Sequence, residues 1–248
     1  MGRDVTSLPP IPADERVSYG DDPNHFFDAW HPVGAARGSA IFIHGGFWRA
    51  RYDLTHASHL CAALARHGLA TANLEYRRVG DPGGGWPGSY NDILAAIPSV
   101  TAHFGQKDVV VLGHSAGGHL ALCLADEPLA IRGIVALAPV ADVRLAYELH
   151  LSNDAVVEFL GGTPSDVPAA YHEACPTKHT SAIRRILLHG KSDDVVPISL
   201  STSYCQKRKA DEDLISLRAL EGIDHFALID PESPAFNTVL QSVLELLA

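Results

Sequence analysis

VVVLGHSAGGHLALCLA, residues 109–125, holds three kinds of sequence in one stretch: a β-branched run, a glycine-rich turn around Ser115, and a run with helical spacing. Strand, sharp turn and helix make the repeating step of layered α/β proteins, and the rest of the chain repeats it. SAIFIHG (39–45), LATANLEY (69–76), DVVVLGHS (108–115), IRGIVALAPV (131–140), RILLHGK (185–191) and LISLRALEG (214–222) read as strands. Several are apolar at consecutive positions, as strands covered on both faces require. FFDAWHP (26–32) reads as an earlier edge strand. Helical spacing falls over 54–67, 90–104, 116–127, 197–210 and 234–247, mostly between strands, so right-handed crossovers make the central sheet mainly parallel.

The 248 residues suffice for one domain of this class, and 46% hydrophobic with 19% charged residues is a globular composition that excludes a disordered chain. With 19 basic against 29 acidic residues, the net charge is -10. Such a surface repels phosphate backbones and anionic lipid, so the expected partner is a small-molecule substrate, with no nucleic acid and no membrane. A homodimer is left open. Residues 1–23 carry Pro9, Pro10 and Pro12 without the apolar run of a signal peptide, and are taken as an N-terminal extension before a single domain over 24–248. The connection 141–182 is too long for a plain loop and is expected to form short helices over the strand ends as a lid. Cys61, Cys123, Cys175 and Cys205 lie far apart with no C-x-x-C pair, which suits reduced thiols and a cytoplasmic setting.

The chemistry centres on Gly113-His114-Ser115-Ala116-Gly117. At a strand-to-helix turn, glycines let the backbone close into an elbow that presents Ser115 at the helix start, where free N–H groups favour a developing oxyanion. A serine hydroxyl is a weak nucleophile at neutral pH, so it needs a base, and the base needs an orienting acid. His225, after the last strand, would supply the base, and Asp193, after the strand RILLHGK, the acid, with Asp194 as its rival. His44-Gly45-Gly46-Phe47-Trp48 follows the strand SAIFI. There the N–H groups of Gly46 and Phe47, with that of Ala116, would form an oxyanion hole. Trp48 is expected to line the acyl pocket, and His44 to sit beside the substrate as a hydrogen-bonding residue of that loop.

The set HGGFW, EYRR (75–78), GHSAGGHLA (113–121), HGKSDDVVP and GIDHF resembles the α/β-hydrolase superfamily and, within it, the kynurenine formamidase-like (arylformamidase-like) and related esterase enzymes. The likeness spans most of residues 24–248, and the chain order Ser, Asp, His matches. The resemblance implies an α/β-hydrolase fold: a mostly parallel sheet of about eight strands with helices on both faces, a short lid, no cofactor, and the triad Ser115, Asp193 and His225. It also implies hydrolysis of an aryl formamide such as N-formyl-kynurenine. Loops of the HGG-aromatic-Trp type also occur in esterases of the superfamily, so a small-acyl carboxylesterase with an unrelated natural substrate is the alternative. A noncatalytic hydrolase-fold protein that binds a ligand under the lid is a third reading.

Among 14 histidines no H-E-x-x-H pattern occurs. His56 and His59 lie three apart on a helix without acidic or thiol partners and read as surface residues, so no metal is assigned. Gly83-Gly84-Gly85 lacks the lysine of a phosphate cradle and reads as a flexible loop before Trp86.

Overall fold

Consecutive apolar residues in the strands point to opposite faces, and both faces are covered. A computed structural model describes residues 5–178, 183–208 and 214–248. Its one described sheet contains β1 (Glu15–Ser18), β2 (Phe26–Trp30), β3 (Ser39–Ile43), β4 (Ala70–Leu74), β5 (Val109–His114), β6 (Gly133–Leu137), β7 (Arg184–Gly190) and β8 (Ile215–Leu220). The spatial order is β1-β2-β4-β3-β5-β6-β7-β8; β2 is antiparallel to both neighbours and β4 to β8 are parallel. This is the α/β-hydrolase fold.

Ile41, Ile43, Val109 and Val111 pack into one core with α2 (Gly88–Phe104) and α3 (Ala116–Cys123). Ala40, Phe42, Val110 and Leu112, the alternate residues of the same strands, pack into a second core with α1 (Ser58–Arg66) and α8 (Phe236–Leu247). Period-two alternation therefore runs between two buried faces, and the strands are apolar throughout. α2 ends at Gly105, whose left-handed φ of 61° caps the helix.

The connection 141–182 folds into α4 (Val143–Glu148), α5 (Ala155–Leu160) and α6 (Pro168–Glu173); residues 179–182 lie outside the described set. Asp142 caps α4 and also binds Ser203 and Lys207 of α7 (Ser199–Lys207), tying this connection to the next crossover. Residues 209 and 210, at the end of the expected helix 197–210, are likewise outside the described set.

The N-terminal boundary differs from the expectation. β1 lies inside the supposed extension, and the residues before it are stitched to the domain. Trp30 Nε1 donates to the Pro12 carbonyl, the Ile11 N–H to Ser58 Oγ, and His59 Nε2 to the Pro9 carbonyl, while Val5 is fully buried. ERVS is polar because β1 is an exposed edge with one neighbour, so it carries no apolar alternation to read.

Every residue of α3 is buried, with Leu120 at 0% exposure between sheet and helices. Leu120→Ala is expected to cost about 2–5 kcal/mol. The loss will show as a lower urea midpoint with an unchanged slope.

Candidate active site

The C-terminal ends of β3, β5, β7 and β8 carry the four segments singled out from sequence, so the parallel sheet gathers them at one edge. Between β5 and α3, Ser115 adopts φ 56° and ψ −118°, a conformation that costs a non-glycine residue about 1–3 kcal/mol. Its N–H donates to the Leu137 carbonyl, and its carbonyl accepts from the His119 and Val140 N–H groups. The turn closes because its flanking glycines lack side chains. A Cβ on Gly113 would lie 2.2 Å from the Gly117 carbonyl oxygen, and one on Gly117 would lie 2.1 Å from that of Ile43.

The loop after β3 is equally tight. Gly46, Phe47 and Trp48 all have positive φ, at 111°, 51° and 57°, which curls the chain back over the elbow. A Cβ on Gly45 would come within 3.1 Å of Ser115 Cβ. Gly46 and Phe47 line the cavity that contains Ser115. Ala116 is fully buried as the first residue of α3, where a helix leaves its N–H without an intrahelical acceptor.

His225 Nδ1 donates to Asp193 Oδ2 at 2.7 Å, which leaves Nε2 as the nitrogen that can take a proton. Asp193 Oδ1 accepts from the N–H groups of Val195 and Val196. Behind it, His189 lies 3.5 Å from Oδ2, donates to the Val196 carbonyl, and accepts from Ser201. Burial alone would raise the Asp193 carboxyl, but hydrogen bonds from His189 and His225, the charge of His225 and the Val196 N–H outweigh it and hold the group far below the usual carboxylate range. Asp194, the rival acid, makes no such contact with His225.

Ser115 and His225 line one cavity of about 590 Å³ with Thr6, Gly46, Phe47, the 51–53 turn, Thr55, His56, His114, Val195 and Phe226. No hydrogen bond joins Ser115 to His225 in this structure, and nucleophile–base contacts of free enzymes commonly tighten only on substrate binding. His114 is the cavity residue inside the elbow that sequence reasoning passed over. Its Nε2 donates to the His225 carbonyl and its ring lies 4.4 Å from the His225 ring. Burial and the neighbouring His225 push His114 well below its ordinary pKa, so it stays neutral.

The structure corrects several expectations. Trp48 does not line the cavity: it is 1% exposed, stacked on Phe159 of α5 at 4.5 Å and edge-on to His119. His44 is fully buried away from the cavity lining, with one ring nitrogen on the Gly45 carbonyl and the other on Glu75. His56, read as a surface residue, is half-buried in the cavity wall, where burial first and His44 second lower its pKa to about 4. Among the described residues, the connection 141–182 contributes none of the lining residues, whereas Thr6 of the N-terminal segment does. α5 instead grips the β3 loop: Arg49 makes a bidentate pair with Glu158 and bonds Ser152. Gly83-Gly84-Gly85 is a close-packed turn, since a Cβ on Gly84 would meet the Arg78 carbonyl oxygen at 1.9 Å.

EYRR supplies the support behind this wall. Buried Glu75 accepts from His44 and from the Tyr76 and Leu54 N–H groups, and pairs with Arg78 at 3.0 Å. Burial would raise the Glu75 carboxyl; the charge and hydrogen bond of His44, with Arg78 and Tyr76, lower it instead. Arg78 also binds the Tyr52 carbonyl, so one carboxylate network braces both the β3 loop and the cavity wall.

The α/β-hydrolase fold and the comparisons with known proteins place the chain among hydrolases of the esterase and formamidase-like kind. A family model described as BD-FAE matches residues 34–207, and the chain belongs to that family. Kynurenine formamidase avaC of Aspergillus versicolor is 28% identical over 214 residues, covering 66% of this chain and 73% of that protein. Among solved structures, a truncated carbohydrate esterase from gut microbiota superposes with a TM-score of 0.81 at 19% identity, covering 97% of this chain and 99% of its own. Esterase B from Lactobacillus rhamnosis (HN001) gives 0.78 at 19%, covering 96% and 88%. At such identities the two structures speak for the fold alone.

The close contacts predict that Gly117→Ala abolishes activity and lowers the thermal midpoint sharply, because the new Cβ meets backbone oxygen that cannot rotate away. Asp193 has a lowered folded pKa, so its stabilisation is present above the unfolded carboxylate value of about 3.9 and is lost as pH falls through the folded value. Wild type should therefore exceed Asp193→Asn in unfolding free energy most at neutral pH, with the gap narrowing below about pH 4. Denaturant titrations at a series of pH values measure that gap.

Proposed function

We propose that this protein is a serine hydrolase that cleaves a small aryl formamide of the N-formyl-kynurenine kind, or a small acyl ester, through an acyl-enzyme on Ser115. The carrying observation is the 2.7 Å contact of His225 with Asp193 beside the strained Ser115 in one cavity. His225 Nε2 takes the proton as Ser115 Oγ attacks the substrate carbonyl, and Asp193 stabilises the imidazolium. N–H groups of Gly46, Phe47 and Ala116 receive the oxyanion, a contribution of roughly 3–4 kcal/mol per donor. The proton then passes to the leaving amine or alcohol, and water activated by His225 frees the acid and restores the serine.

A cavity of about 590 Å³ is of small-ligand size, and its wall carries both Arg51 and Asp53. Phe47, not Trp48, is the aromatic residue that would limit the acyl group. The Aspergillus versicolor relative, a kynurenine formamidase by name, supports the formamide. None of the four cysteines forms a disulfide and three are buried, which supports a reducing, cytoplasmic setting. Among the described residues no helix is long and apolar enough to cross a membrane.

Purified enzyme should hydrolyse N-formyl-kynurenine or p-nitrophenyl acetate, with kcat/KM for p-nitrophenyl butyrate below that for the acetate. Ser115→Ala should lower kcat by roughly 10⁴-fold or more and abolish labelling by a fluorophosphonate. Turnover retained by Ser115→Ala would sink the mechanism. A strong ratio in favour of the formamide would assign the pocket to formyl transfer to water, and activity on esters alone would assign it to small-acyl esters.

A further inference from the structure

We propose a surface site for a zinc-class divalent cation formed by Glu15, His31 and His103. The three residues come from β1, from the position just past β2, and from the last turn of α2. His31 Nε2 lies 2.6 Å and His103 Nε2 3.0 Å from the same oxygen, Glu15 Oε1, and the three ligand atoms all lie within 4.8 Å of one another. Residues far apart in sequence thus aim two imidazole nitrogens and one carboxylate oxygen at a single point. The sequence showed no such pattern because Glu15, His31 and His103, 16 and 72 residues apart, match no local ligand motif.

The geometry is close to what a metal needs. Ligands about 2.0–2.1 Å from a tetrahedral ion lie roughly 3.3 Å apart, and the two ring nitrogens stand 2.6 and 3.0 Å from the shared Glu15 oxygen, so the rings move outward from that oxygen to admit an ion between them. The imidazoles are steadied by ring contacts. His31 packs edge-on to Phe104 at 5.5 Å, and His103 packs against Phe27 at 5.5 Å and Phe104 at 5.1 Å. Binding moves each ring proton from Nε2 to Nδ1. A His₂-carboxylate set suits zinc, nickel or copper, whereas calcium and magnesium favour oxygen ligands. Exposure leaves the fourth position to water. The net charge of -10 favours any cation at the surface. None of the three residues lines the cavity of Ser115, so the proposed role is to clip the edge strand to α2, not to take part in hydrolysis.

Tag-free, chelator-treated full-length protein titrated with zinc chloride should take up one equivalent in the calorimeter, and zinc should raise its thermal midpoint. Cobalt(II) should give the visible absorption of a four-coordinate ion. His31→Ala and His103→Ala should each weaken zinc binding roughly tenfold or more while hydrolysing esters as wild type does. Glu15→Gln, which keeps the shape of the side chain, serves if either alanine variant fails to fold, and should weaken binding likewise. His150→Ala, at an exposed pair with Asp154 alone, should bind as wild type. Absence of zinc uptake, or uptake unchanged in the folded cluster variants, would overturn the proposal.

Discussion

Backbone meets backbone at the elbow, and this contact sets the rest of the site. Gly117 lies against the Ile43 and His44 carbonyls, and Gly113 lies against Gly117, at separations that leave no room for a Cβ. The serine turn after β5 and the loop after β3 are therefore one rigid unit. The candidate nucleophile and the candidate oxyanion donors take their relative positions from main-chain packing, which varies less than side-chain rotamers do. The positive φ of Ser115 is held by hydrogen bonds to Leu137, His119 and Val140, so its strain is met by the surrounding scaffold.

Two buried carboxylates organise the polar groups around that unit. Asp193 holds His225 in one tautomer and is itself held by two backbone N–H groups and His189. Glu75 collects His44, Arg78 and two N–H groups behind the β3 loop. In each case desolvation opposes ionisation and is outweighed by donors and positive charge. Asp193 serves the candidate base His225, whereas Glu75 serves the walls.

Long connections play parts that their lengths do not reveal. The helices of 141–182 brace the β3 loop through Arg49–Glu158 and Trp48–Phe159, while the N-terminal segment reaches the cavity at Thr6. The same segment runs into β1, whose Glu15 faces His31 and His103 on the outer edge. Proline-rich and polar, it gives no periodic signal, yet its packing onto β2 and α1 makes it part of the domain.

The strands from β2 to β8, the two-faced core and the segments bearing Ser115, Asp193 and His225 were legible in the sequence, because apolar periodicity and glycine turns are local properties. So were the places of Gly46 and Phe47, which depend on a loop directly after a strand. Tertiary structure alone decided that Trp48 is stacked inside on Phe159, that His44 serves Glu75, and that His56 enters the cavity wall. It also decided that β1 completes the sheet. These outcomes turn on which distant segment packs on a given side chain, and burial by a partner about a hundred residues away leaves no mark in the neighbouring sequence.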